Sequence, residues 1–216
     1  FAAIELTRPT LGNPTIPTGS SRPRSEYLMV SRHMPPGIPT KILMGTVDGK
    51  GMSDRITMAR TAGGIPVVAE RIPGSRSAGY MIGVATGSRD ETEGIFGLSH
   101  LLEHTVFRET KTRDSYQMAK EMEGAGGELN AFTGREMTAF YGITISETRG
   151  TAMEMVGDIV ANPLINEKDT ELEKKIVLQE LSMIESEPET RIHDLFESML
   201  WRGLPLSQDE GGDKGI

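Results

Sequence analysis

Two of the chain's four histidines fall within one five-residue run, His100-Leu101-Leu102-Glu103-His104. On a helix, His100 and His104 stand one turn apart and point the same way. Glu103 lies beside them, because residues three and four apart are neighbours. Two imidazoles and a carboxylate so placed form half of a zinc site that carries its own proton acceptor. The spacing H-x-x-E-H reverses the commoner H-E-x-x-H. A solvated helix face could carry the same residues without consequence, but the neighbours argue against that. Phe96, Leu98, Leu101, Leu102, Val106 and Phe107 make the segment largely apolar, which places it against a core. Polar atoms carried into such a place need a partner, and a metal ion supplies one.

Catalytic zinc takes three protein ligands and keeps one position for water. The chain has no cysteine, and its other histidines are His33 and His193. Better candidates are carboxylates on the helical stretch 171–186, where Leu172, Ile176, Leu178, Leu181 and Ile184 supply the apolar periodicity. Glu173 and Glu180 lie seven residues apart, two helical turns, and so share a face. Either could ligate, with the other nearby as a supporting or catalytic carboxylate. Taken singly, a helical Glu is more often an exposed surface residue.

The elements that must position these groups are readable from turn and cap signals. Residues 65–71 form a β-rich run, followed by the turn Pro73-Gly74-Ser75 and a second strand over 78–86. The histidine helix is expected over 95–107. Asp114 caps another helix, closed by Gly124. Residues 126–133 read as a turn into a strand, and 137–145 as the next strand, so the two pair as a hairpin. Ser146 caps a helix that ends at Asn162-Pro163, and Pro188 starts the last helix. Strands and helices in separate runs point to an α+β fold: an antiparallel-rich sheet with helices on one side.

Composition narrows the functions available. The net charge is -8, with no basic patch resembling a nucleic-acid footprint. No apolar run approaches the roughly 20 residues a membrane span needs, and the absence of cysteine fits a reducing compartment such as the cytoplasm. Residues 1–51 carry six Lys/Arg against three Asp/Glu, whereas the remainder carries 17 against 28. Seven of the twelve prolines fall between Pro9 and Pro39, so 1–51 is expected to be an unstructured or non-native segment ahead of a domain at 52–216. The stretch is partly like a mitochondrial transit peptide, but its prolines break an amphipathic helix. A chain that starts at Phe1 reads as a processed product or a fragment.

A longer ordered series carries a resemblance. Gly94-Ile95-Phe96-Gly97-Leu98-Ser99 runs into the histidine motif, then Phe107-Arg108-Glu109-Thr110. Gly126-Gly127-Glu128-Leu129-Asn130-Ala131-Phe132-Thr133 follows, then Glu136-Met137-Thr138, Tyr141, Asn162-Pro163-Leu164 and the 173–180 stretch. From about Arg55 onward this resembles the pitrilysin-type zinc metallopeptidases, the inverzincins of family M16, and most the mitochondrial-processing-peptidase branch with its bacterial and archaeal relatives. The resemblance implies that His100, His104 and Glu180 hold one Zn2+, that Glu103 is the general base, and that Glu173 is an additional carboxylate assisting catalysis. It also turns an ordinary-looking hairpin into a sheet edge to which the substrate adds as a strand, with Asn130, Ala131 and Phe132 as substrate contacts.

The activity so implied is a zinc-dependent endopeptidase acting on extended peptides or presequences. Family members have two related halves, each about the size of this chain. The sequence is therefore expected to be an incomplete N-terminal half-domain, weakly active or inactive alone, that needs a second homologous half-domain or a partner subunit. A mitochondrial matrix setting is the alternative to the cytoplasm. Two competing readings are a non-catalytic partner subunit of the same fold, and a zinc- or peptide-binding module without turnover. Such non-catalytic members typically lose motif residues, and here His100, Glu103, His104 and Glu180 are all present.

Overall fold

The computed structural model of the chain describes residues 2–6, 56–61 and 63–212. Six strands form one sheet: β1 (Ala2–Leu6), β2 (Ile56–Arg60), β3 (Pro66–Glu70), β4 (Ser77–Val84), β5 (Glu128–Thr133) and β6 (Thr138–Ile145). Their order is β2-β3-β1-β4-β6-β5. Every pairing is antiparallel except β1 with β4. The helices are α1 (Leu98–Thr105), α2 (Ser115–Gly124), α3 (Arg149–Ala161), α4 (Glu167–Ser186) and α5 (Pro188–Leu200). The α+β class and the antiparallel-rich sheet agree with the sequence reading. Strand β1 belongs to a segment expected to lack structure; the rest of that expectation, including Pro9 to Pro39, lies outside the described residues.

Helices α1 and α3 lie on one face of the sheet. A Cβ built at Gly142 would meet Val156 and Ala152 at 3.2 and 3.3 Å, so that side of β6 looks into α3. Leu129 is the cross-strand partner of Gly142, and strand alternation puts Ala131 and Thr133 on the same side as Leu129. Thr133 reaches Ser99 and Glu103 of α1 there. The main core fills this layer: Tyr80, Ile82 and Phe140 from the sheet meet Met118 and Met122 of α2 and Met155, Val156 and Ile159 of α3. A smaller cluster of Leu101, Val177 and Leu181 joins α1 to α4. Burying each of its side chains contributes about 1.5–3 kcal/mol.

Side-chain hydrogen bonds hold the starts of three helices. Asp114 caps α2 through Gln117 in a reciprocal capping box. Asn166 caps α4 by accepting from the Asp169 N–H, so this helix starts earlier than the apolar periodicity from residue 171 suggests. Helix α1 starts at Leu98 behind Gly97, whose φ of 92° suits glycine. Gly97 has no side chain to cap with. Instead the Glu91 carboxylate accepts from the N–H groups of Gly97 and Ser99, each at 2.6 Å.

Candidate metal centre

His100 and His104 project from α1 toward Glu180 on α4. Their Nε2 atoms lie 3.2 Å apart. The Glu180 carboxylate is 3.4 Å from Nε2 of His104 and 3.7 Å from that of His100. The two rings meet edge to face, 84° apart in plane. Ligands bound at about 2.0–2.1 Å around a tetrahedral metal stand roughly 3.3 Å from one another. The three acceptor atoms therefore have the spacing of a metal-binding set, and His100, His104 and Glu180 form a group that could hold an ion. Without one, two imidazole nitrogens facing each other could share at most one proton.

Glu173 does a different job from Glu180 although both stand on α4. It is 4% exposed, on the stripe with Val177 and Leu181. One oxygen lies 3.2 Å from Nδ1 of His104; the other accepts from Nε of Arg108. An ionised carboxylate can only accept, so this contact favours a proton on Nδ1 of His104 and turns Nε2 toward His100 and Glu180. Arg108 in turn pairs with this buried carboxylate, and a charge buried in a protein needs such a partner. His100 has no such support: its Nδ1 is buried without a partner among the described residues.

Glu103 lies on the same helix, and its carboxylate accepts from the Thr133 hydroxyl at 2.5 Å. These groups line one cavity of about 510 Å³, together with Phe107, Arg108, Ser115, Asn130 and Ala131. Strand β5, at the end of the sheet, forms its wall. Of the residues singled out from sequence, the structure thus gathers His100, Glu103, His104, Asn130, Ala131, Glu173 and Glu180. It does not bring Phe132 to the cavity. That side chain alternates to the other face of β5, where its ring lies 6.5 Å from that of Tyr141. Arg108 and Thr133 carry contacts that the sequence reading did not assign. Arg108 sits in the quoted Phe107-Arg108-Glu109-Thr110 motif, which was the available signal.

Two further charge networks frame the site. Burial alone would raise the Asp158 carboxyl, but hydrogen bonds from Thr110, Thr112, Asn162 and Arg113 hold it below the usual carboxylate range. This ties α3 to the loop after α1. At the turn joining β5 and β6, Arg135 pairs with Glu197 of α5 at 2.5 Å and donates to the Leu206 carbonyl at 2.8 Å. Nearby, burial pushes the carboxyls of Asp194 and Glu210 upward.

Comparison with known proteins bears on this arrangement. The sequence model of the family described as Insulinase (Peptidase family M16) matches residues 66–213. An uncharacterized zinc protease of Mycobacterium leprae is 38% identical over 146 residues, covering 68% of this chain and 33% of that protein. One from Streptomyces coelicolor is 35% identical over 179 residues, covering 83% and 37%. The chain thus spans about a third of the length of these curated relatives. Among solved structures, pitrilysin superposes with a TM-score of 0.65 at 25% identity, over 79% of this chain and 18% of pitrilysin. The inactive domain of a peptidase M16 from Pseudomonas fluorescens gives 0.64 at 17% identity, over 73% and 39%.

Proposed function

Because the chain belongs to the insulinase family of peptidases, M16, we propose that it is the zinc-binding part of a metalloendopeptidase that hydrolyses extended peptides. The observation that carries this reading is the convergence of His100, His104 and Glu180 at metal-ligand spacing, in one cavity with Glu103 and with the end strand of the sheet. Fold alone would not carry it, since a structural neighbour is described as an inactive domain.

His100, His104 and Glu180 would hold the ion. Zinc bound there supplies a polarising Lewis acid and water of lowered pKa. Glu103 accepts the proton of the attacking water and returns it to the leaving amine. Glu173 acts through His104: both of its oxygens are engaged, and it fixes the ring that must present Nε2. The peptide pairs with β5 as an added strand, held by main-chain hydrogen bonds beside Asn130 and Ala131. Phe132, on the far face, would touch only side chains that alternate to that face. A second homologous half-domain or partner subunit would complete the chamber, and a cysteine-free chain suits the cytoplasm.

In the complete protein, Glu103→Gln should abolish cleavage of a fluorogenic peptide while zinc remains at one equivalent, and His104→Ala should lose both. Wild-type turnover by the Glu103→Gln protein would defeat the assignment.

A further inference from the structure

The general base and the strand that would receive the peptide are joined by one side chain. Thr133 is the last residue of β5. Its hydroxyl lies 2.5 Å from one oxygen of Glu103 and 3.5 Å from the Ser99 carbonyl. A hydroxyl has one proton to give, and the shorter, charge-assisted contact takes it. The other Glu103 oxygen has no partner among the described residues, and Glu103 lines the cavity. The carboxylate is therefore tied at one oxygen and open at the other. A Glu terminal torsion is otherwise broad, so an untied carboxylate would spend much of its time turned away from the water.

We propose that Thr133 is a positioning residue that aims Glu103 and couples its alignment to occupancy of β5. This rests on the peptidase reading above. A peptide pairing along β5 would add main-chain hydrogen bonds to the strand whose last side chain holds the base. Pairing energy gained away from the scissile bond is thereby spent on the chemical step. Long peptides that pair as far as Thr133 gain in kcat, and not only in KM, over short ones.

The test uses the complete zinc-loaded protein with Thr133→Val, which keeps shape and loses the hydroxyl, and Thr133→Ser, which restores it. The valine variant should lose about ten- to hundredfold in kcat, part of what a general base contributes. Its KM should stay within about twofold and its zinc content should be unchanged, because only the aim of the base has altered. Its kcat should no longer rise with peptide length, and the serine variant should recover most of the loss. A peptide hydroxamate, which needs Glu103 to accept its own proton, should bind the valine variant more weakly by a similar factor, a readout independent of turnover. An unaltered kcat in the valine variant overturns the proposal. So does a fall in kcat shared by zinc content and KM, or a serine variant no better than valine. Wild-type protein that neither binds zinc nor cleaves peptide overturns both this proposal and the peptidase reading.

Discussion

Glu173 holds His104 by its Nδ1, 3.2 Å away, and so decides which nitrogen of that ring is left for a metal. The ring is fixed from behind by a carboxylate that is itself buried and matched by Arg108. Replacing Glu173 by Gln keeps the shape but weakens the proton-accepting partner. Metal affinity should fall about 10–100-fold, as for other residues that support a ligand from behind, measured by competition with a chromogenic chelator. Arg108→Met acts differently. It leaves the buried Glu173 charge without its guanidinium partner, and should cost about 3–5 kcal/mol of folding stability, measured by urea unfolding of the metal-free protein. The double variant Glu173→Gln with Arg108→Met should recover part of that loss, because the stranded charge is gone.

Asp158 and Asp194 make opposite predictions for pH. The Asp158 carboxyl is held below its ordinary 3.8 by its hydrogen bonds, against the pull of burial. Its contribution is fully present above that value and is lost as pH falls through the lower folded-state pKa. Asp158→Asn should therefore cost about 1.5–3 kcal/mol at neutral pH, and the gap to wild type should close in acid. The Asp194 carboxyl is raised, first by burial and then by Asp209. Its charged form works against folding at neutral pH. Asp194→Asn should stabilise the protein there, and the gain should shrink as pH falls through the raised pKa and vanish near 3.8. Thermal melts across the acid range check both signs.

Gly87 tests how tightly the strand bearing Thr133 is held. A Cβ there would lie 2.1 Å from the Gly134 carbonyl oxygen and 2.6 Å from the carbonyl carbon of Arg135. Both are backbone atoms of the β5–β6 turn, so neither can swing aside. Gly87→Ala should destabilise the fold by about 1–3 kcal/mol or more, read from urea midpoints. It should also lower turnover if displacement of that turn shifts Thr133.

The histidine pair was legible because its geometry is local: spacing on a helix puts His100 and His104 on one side whatever the surroundings. Asp114 and Pro188 marked helix starts for the same reason. The start of α1 was not readable, since its cap is Glu91, six and eight residues before the amides it satisfies. Strand β2, at the other end of the sheet, was missed, being five residues with no clean alternation in burial. Spacing also could not choose between Glu173 and Glu180, which share a helix face. Only the position of α4 against α1 separates them: one carboxylate buried behind His104, the other 45% exposed in front of both rings. Arg108 and Thr133 take their meaning from partners 65 and 30 residues away, a separation that no local pattern encodes.

Among the described residues, the buried apolar cluster that joins α1 to α4 is small: Leu101, Val177 and Leu181. Its polar contacts, by contrast, span 69 residues of chain between His104 and Glu173. The proposed ligand set, divided between these helices, would make ion occupancy and helix docking one equilibrium. An ion bound as proposed would act as a reversible cross-link, closing a long loop whose entropy would otherwise favour letting α4 go. How firmly the second helix is seated would then depend on free metal concentration, through ordinary mass action. An ion proposed for chemistry would thus also help the part that binds it to hold its shape.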